Sequence, residues 1–353
     1  MDRRYYLDLA ASGLRMPIGP DLILHEKPDP IGSALDGQKL GAVLVEAAER
    51  FKTPLAVALM NLKLEKAALL RTLDVSESAL DTFHFKECPT EAMRGQIERR
   101  LADPPAPDLR AHVESVAFVA RQKNLIPVGM AIGPFSLMTK LLVDPISAVY
   151  MAGTGLRAED DDEVRLMETV LDLALKTTLR SIQAQIAAGA KVICIAEPAA
   201  NKAYISPKQL AEGSDVFERC VSRPNRQIRA LLAETGTDLF FHCCGELTDY
   251  FVKKFAEFDP AILSLGSSRA LWDDSALVPK TTVLFGNLPT KHFHSDEAIT
   301  KDQVAAKTKE LIRRMKPTGH PFIVGSECDV LSVQGKEQTI QEKVAVMLNC
   351  PTD

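Results

Sequence analysis

Eight short apolar runs punctuate this chain, and after each comes a turn and a longer amphipathic stretch. The runs are Met16–Leu24, Pro54–Met60, Pro127–Ile132, Lys191–Ala196, Asp238–His242, Ala261–Leu265, Thr282–Phe285 and Pro321–Val324. Most are continuous rather than alternating, which is the pattern of strands buried on both faces in a parallel sheet. The first is the least regular, because Pro17, Gly19 and Pro20 interrupt it. The stretches between read as helices. Ser33 is placed to cap one that runs to about Phe51. The longest covers Ala158–Ala188. Its acidic start, from Glu159 to Glu163, reads as a solvated first turn favoured by the helix dipole, and Gly189 ends it. Further helices fit Glu246–Glu257, Ser295–Lys316 and Lys336–Leu348. This alternation predicts an α/β fold, a (β/α)8 TIM barrel with N-terminal helical decoration, occupying 1–353 as a single domain. An open doubly wound sheet is the rival. The proline-rich stretch from Asp103 to Asp108 reads as a surface connection within that domain, as does Lys27–Pro30.

Composition narrows the function classes. At 46% hydrophobic and 25% charged residues, the chain has ample apolar surface for a core. Its net charge of -5 comes without a basic tract, so it lacks the clustered Lys and Arg that phosphate backbones demand, and no nucleic-acid partner is expected. No run of 18 apolar residues exists, so no membrane span is expected. Arg3-Arg4 imitates a twin-arginine signal, but Asp8 interrupts the short apolar stretch behind it. The seven cysteines are scattered and odd in number, which suits a reducing compartment, and a cytoplasmic protein is expected. Neither G-x-G-x-x-G after a strand nor G-x-x-x-x-G-K-[ST] occurs, so nucleotide binding of those types gains no support.

A barrel gathers its active site at the carboxyl ends of its strands. The residues that close the runs are His25, Asn61, Gly133-Pro134-Phe135, Glu197-Pro198, His242-Cys243-Cys244-Gly245-Glu246, Gly266-Ser267-Ser268, Gly286-Asn287 and Gly325-Ser326-Glu327-Cys328-Asp329. In extended backbone, His242 and Cys244 point the same way while Cys243 turns aside. Barrel closure brings Cys328 to the same mouth. One imidazole and two thiolates form a zinc set with a fourth position open, as in catalytic zinc sites. The competing reading is that such cysteines are small core residues. His25 is a weaker site candidate. His292 and His294 lie in a polar loop, and His84, His112 and His320 lack partners at ligand spacing.

These residues, in this order, resemble the uroporphyrinogen decarboxylase-like superfamily, in its cobamide-dependent, methylcobamide:coenzyme M type methyltransferase branch. The matching points are Gly133-Pro134-Phe135-Ser136, Ile195-Ala196-Glu197-Pro198 with Ile205-Ser206-Pro207, His242-Cys243-Cys244-Gly245, Gly286-Asn287-Leu288 and Gly325-Ser326-Glu327-Cys328-Asp329. The resemblance implies Zn2+ held by His242, Cys244 and Cys328. It also implies a corrinoid such as methylcobalamin, brought by a separate corrinoid protein, and a small-molecule methyl donor or thiol acceptor. Glu197 is expected as a fourth zinc ligand or substrate contact and Asn287 as a hydrogen-bonding partner of substrate. For both, bonding to nearby loop backbone is the alternative. True decarboxylases of the superfamily carry an Arg-Gln-Ala-Gly-Arg stretch after the first strand. Here Gly19 to Pro28 contains no arginine, which disfavours porphyrinogen decarboxylation. A non-catalytic barrel that binds metal or corrinoid is the other rival.

Overall fold

The computed structural model describes residues 2–351. Its strands are β1 (Arg15–Ile18), β2 (Leu55–Val57), β3 (Ile126–Ile132), β4 (Val192–Ala196), β5 (Asp238–Cys243), β6 (Ile262–Leu265), β7 (Val283–Leu288) and β8 (Phe322–Asp329). They form one eight-stranded sheet in the order β1-β8-β7-β6-β5-β4-β3-β2, and every neighbouring pair is parallel. Helices alternate with the strands, so the architecture is the expected (β/α)8 barrel. The barrel is nearly closed: among the described residues no ladder joins β1 to β2. There the Thr53 hydroxyl instead donates to Met16 Sδ, at 3.1 Å.

The continuous apolar runs are buried on both faces. Val192 to Ala196 are all buried, as are Ile262 to Leu265. Each Val, Ile or Leu side chain among them, removed from water, contributes about 1.5–3 kcal/mol, which is what drives such strands into a helix-covered sheet. The helix Arg3–Ala11 closes the amino end of the barrel. Tyr6 donates to the Asp238 carboxylate at 2.7 Å, and Arg3 pairs with Asp259 at 3.0 Å. No helix among the described residues is long and apolar enough to cross a membrane.

Several element boundaries differ from expectation. The run Met16–Leu24 splits into β1 and a short helix, Pro20–Leu24. Pro20 sits in the first helical turn, where its fixed φ and missing N–H cost nothing. His25 therefore caps a helix rather than closing a strand. Ser33 caps nothing: it is buried within the helix Pro30–Ala34, and the helix Gly37–Arg50 is capped by Asp36, which accepts from Gln38 and Lys39 N–H. The long helix spans Asp162–Ala187. Asp161 caps it and Asp162 and Glu163 fill its first turn, while Gly189 (φ +104°) ends it in a conformation that other residues rarely adopt. β7 and β8 run further than their apolar runs, so Asn287 and Cys328 lie within strands.

Candidate metal centre

β5 and β8 build the centre. His242 lies near the end of β5, and Cys244 comes directly after it. The alternation of extended backbone points both the same way. Cys243 faces the other side, fully buried, with its thiol toward the Ala200 carbonyl at 3.7 Å. Burial pushes that thiol well above the ordinary range, so it stays protonated and inert.

Cys328 reaches the group through an irregularity in β8. Strict alternation from Ile323 and Gly325 would turn Glu327 inward and Cys328 away. Against β1, however, Met16 pairs with Gly325 and Ile18 with Asp329, so β8 spends four residues where β1 spends two. Such bulges re-aim side chains beside active sites. Here both neighbours reach the mouth: Glu327 accepts from the Ser267 hydroxyl at 2.6 Å, and Cys328 joins His242 and Cys244. The imidazole nitrogen and two sulfurs of His242, Cys244 and Cys328 all lie within 4.8 Å of one another.

The surroundings fit a metal ion. His242 is buried, and its Nδ1 bonds to the Ser264 hydroxyl at 2.9 Å. Its Nε2 is also buried and has no hydrogen-bond partner among the described residues. An orphaned ring nitrogen in a buried site costs free energy unless something binds it. Nδ1–H donating to Ser264 leaves the Nε2 lone pair for a metal, the usual way a second partner sets a ligand's tautomer. Without metal, the contact with Cys328 holds the Cys244 thiol far below its usual range, with His242 and Lys291 adding to the effect against burial. The same contact, then burial, pushes the Cys328 thiol up. A metal held between the two sulfurs would displace a thiol proton, because ligating cysteines bind as thiolates.

Beneath the group lies an aromatic floor. Phe240 and Phe285 meet at 5.5 Å between centroids, tilted by 63°. Gly325 lies against this stack, and a Cβ there would overlap the Phe285 ring. On the mouth side, Lys291 lies just after β7. Its backbone N–H donates to Glu327 at 3.4 Å, and its ammonium lies 4.0 Å from the same carboxylate. Burial opposes its charge, but Cys244, Glu327 and Cys328 win and raise its pKa. Sequence reasoning did not single out Ser264 and Lys291, and it named Glu327 only as part of the strand-end segment that carries Cys328. His242 and Ser264 are register partners on β5 and β6, a relation that no single segment carries.

Glu197 and Asn287 stand at strand ends but outside the metal group. Glu197 is fully buried at the end of β4. It accepts from Phe135 N–H (3.2 Å), Ser136 N–H (2.8 Å), Ser136 Oγ (2.7 Å) and Asn225 Nδ2 (3.1 Å). The helix Pro134–Leu141 has no side-chain cap of its own, so Glu197 serves that end from another strand. Burial raises its pKa, and the Ser136 and Asn225 bonds oppose the rise. Asn287 donates from Nδ2 to the Gly266 and Arg269 carbonyls at 2.9 and 2.7 Å, fastening the loop after β6. His25 is also outside the group: its Nδ1 contacts the Asp21 carbonyl at 2.9 Å. His112 and His320 are buried and bond to the Met130 and Thr282 carbonyls, as core histidines do.

Fold and site together define a (β/α)8 barrel with a His–Cys–Cys group at the carboxyl ends of its strands. Residues 45–349 match the family model of uroporphyrinogen decarboxylase (URO-D), and the chain belongs to that family. Its fold is similar to that of a methyltransferase from Methanosarcina mazei, with a TM-score of 0.67, 14% identity and 98% of each chain covered. A B12-independent methionine synthase from Shewanella sp. W3-18-1, in complex with selenomethionine, is a more distant match. It is 13% identical with a TM-score of 0.44, covering 67% of this chain and 65% of that one. Among curated protein sequences none matches the chain.

Proposed function

We propose that this protein is a zinc-dependent methyltransferase that moves a methyl group between a small substrate and the cobalt of a corrinoid carried by a separate protein. The observation that carries this reading is the buried, unpartnered Nε2 of His242, gathered with two cysteine sulfurs at the barrel mouth. One imidazole and two thiolates suit zinc and leave a fourth position for substrate. The fold likeness to the Methanosarcina methyltransferase supports methyl transfer over metal storage. The segment 19–28 supports it over porphyrinogen decarboxylation, because it offers no guanidinium to a polycarboxylate.

When bound, zinc supplies a Lewis acid that ionises a coordinated thiol or polarises a coordinated methyl donor. The chain's own residues do the rest. His242, Cys244 and Cys328 would hold the metal, and Ser264 fixes the imidazole. Phe240 and Phe285 fill the space below, so substrate and cobalt share the mouth side, where Lys291 and Glu327 contribute one charge of each sign. Glu197 and Asn287 act as positioning residues for the loops after β3 and β6.

The test tracks cobalt absorption. Zinc-loaded protein is incubated with methylcobalamin and small thiols, and separately with cob(I)alamin and O-, N- or S-methyl donors. A zinc-dependent spectral change in one direction, lost in Cys244→Ala, is the expected result. Decarboxylation of a porphyrinogen with no cobalt change in either direction would refute the reading.

A further inference from the structure

The layer of outer helices holds a second cavity, beside the proline-rich stretch that links two of them. It measures about 230 Å³ and lies between the helices Leu64–Arg71, Pro107–Ala120 and Asp162–Ala187, with Leu101 to Ala106 along one side. Glu65 lines it and is 1% exposed. Its Oε1 accepts from the Ser181 hydroxyl at 2.8 Å, whereas Oε2 is buried and has no hydrogen-bond partner among the described residues. A buried polar atom left in that state costs free energy until something pairs with it. Ser181 in turn accepts from Gln185 Nε2 at 3.2 Å, so this run of donors points at the carboxyl group and stops there. The three guanidinium groups around the cavity are engaged elsewhere. Arg71 bonds to Asp108 at 2.8 Å, Arg100 to Asp74 at 2.7 Å and Arg180 to the Leu101 carbonyl at 3.1 Å. Much of the remaining wall is apolar, from Ala68, Leu101, Pro104, Leu109 and Ala184.

We propose that this cavity binds a small organic amine as its ammonium ion, with the nitrogen on Glu65 Oε2 and the hydrocarbon part against the alanine, leucine and proline side chains. A carboxylate only accepts, so the missing partner of Oε2 is a donor. Burial opposes the charge on Glu65, and an ammonium ion beside Oε2 offsets that cost through a charge-assisted hydrogen bond. An anion would find no free guanidinium fork, because Asp108, Asp74 and the Leu101 carbonyl already occupy all three. Water alone would satisfy Oε2 but leave the apolar wall wet. A dry cavity of about 150 Å³ is enough for benzene, so this one has room for an amine of roughly that size. None of its lining residues belongs to the metal centre, so the site is independent of the methyl-transfer reading.

The test is calorimetric titration of the zinc-loaded protein at neutral pH with three probes of one shape: benzylamine, benzyl alcohol and benzoate. The parent should bind the amine about tenfold or more tighter than the alcohol, and benzoate more weakly still. Glu65→Gln keeps the shape and an acceptor for Ser181 but not the charge. It should bring benzylamine down to the level of the alcohol, whose own affinity changes by less than about threefold and so shows that the variant is folded. Ala184→Leu fills the cavity and should remove both. Three results would each overturn the proposal. Binding of no probe by the parent would leave a cavity that holds water only. Equal affinity for amine and alcohol would leave an apolar cavity that does not read charge. Amine binding that survives both variants would place the amine elsewhere, the open position on zinc included.

Discussion

Replacing Ser264 by Ala tests the metal centre without touching a ligand. The Ser264 hydroxyl is fully buried and bonds to His242 Nδ1 at 2.9 Å, and His242 itself is 1% exposed. Water therefore has no ready route to replace the lost partner. The variant leaves Nδ1 unpaired, frees the ring to rotate and admits the tautomer whose Nε2 carries the proton. Removing such an outer partner typically weakens metal binding about 10- to 100-fold, or about 1.4–2.8 kcal/mol. The metal-free protein loses that hydrogen bond and keeps a buried, unpaired Nδ1, at a cost of about 1–3 kcal/mol. The assay is zinc competition against a chromophoric chelator, with urea unfolding of both metal-free proteins as the control. Zinc affinity should fall about 10- to 100-fold, with the metal-free protein less stable but still folded. Unchanged zinc affinity in Ser264→Ala would refute the claim that Nε2 is the metal-binding nitrogen held in place through Nδ1.

The same geometry sets two further outcomes. Zinc content, about one ion per chain in the parent, should fall to near zero in Cys244→Ala and Cys328→Ala but persist in Cys243→Ala, whose thiol faces Ala200; elemental analysis reads this directly, and equal loss from Cys243→Ala would show the facing to be wrong. Glu65 is buried, with Oε1 on the Ser181 hydroxyl at 2.8 Å and Oε2 unpartnered, and burial pushes its pKa from 4.5 up to about 7. The folded state holds that proton more tightly than the unfolded chain, so stability falls as pH rises from about 4.5 to about 7, by about 3 kcal/mol in all. Glu65→Gln cannot ionise, so its stability relative to the parent should rise between pH 5 and pH 8, as read from urea midpoints. An equal difference at both pH values would contradict the assignment.

Much of this architecture was written in local patterns. A strand buried on both faces must be apolar throughout, so β3 to β6 stand out as continuous runs. The pairing of His242 with Cys244 was legible for a similar reason, since two-residue spacing in extended chain fixes the facing. The first run shows where this logic stops. Met16–Leu24 is apolar whether strand or helix, and only Gly19 and Pro20 mark where one gives way to the other. The remaining features depend on relations between segments. Ser264 faces His242 because β5 and β6 pair in one register, Cys328 enters the group through a β8 bulge, and Glu197 caps a helix that begins after β3. Strand-end position was a sound guide to where Glu197 and Asn287 lie. Their partners, however, are loop and helix backbone together with the side chains of Ser136 and Asn225.

The central claim is that His242, Cys244 and Cys328 hold a zinc ion whose fourth position is open to substrate. X-ray absorption at the zinc edge, recorded on zinc-loaded protein before and after titration with a small thiol, tests it most directly. The account predicts two sulfur neighbours at about 2.3 Å and two nitrogen or oxygen neighbours at about 2.0–2.1 Å, with a third sulfur replacing one light atom once a ligating thiol is added. Zinc that lacks two sulfur neighbours, or a closed shell that no thiol or methyl donor perturbs, would contradict it.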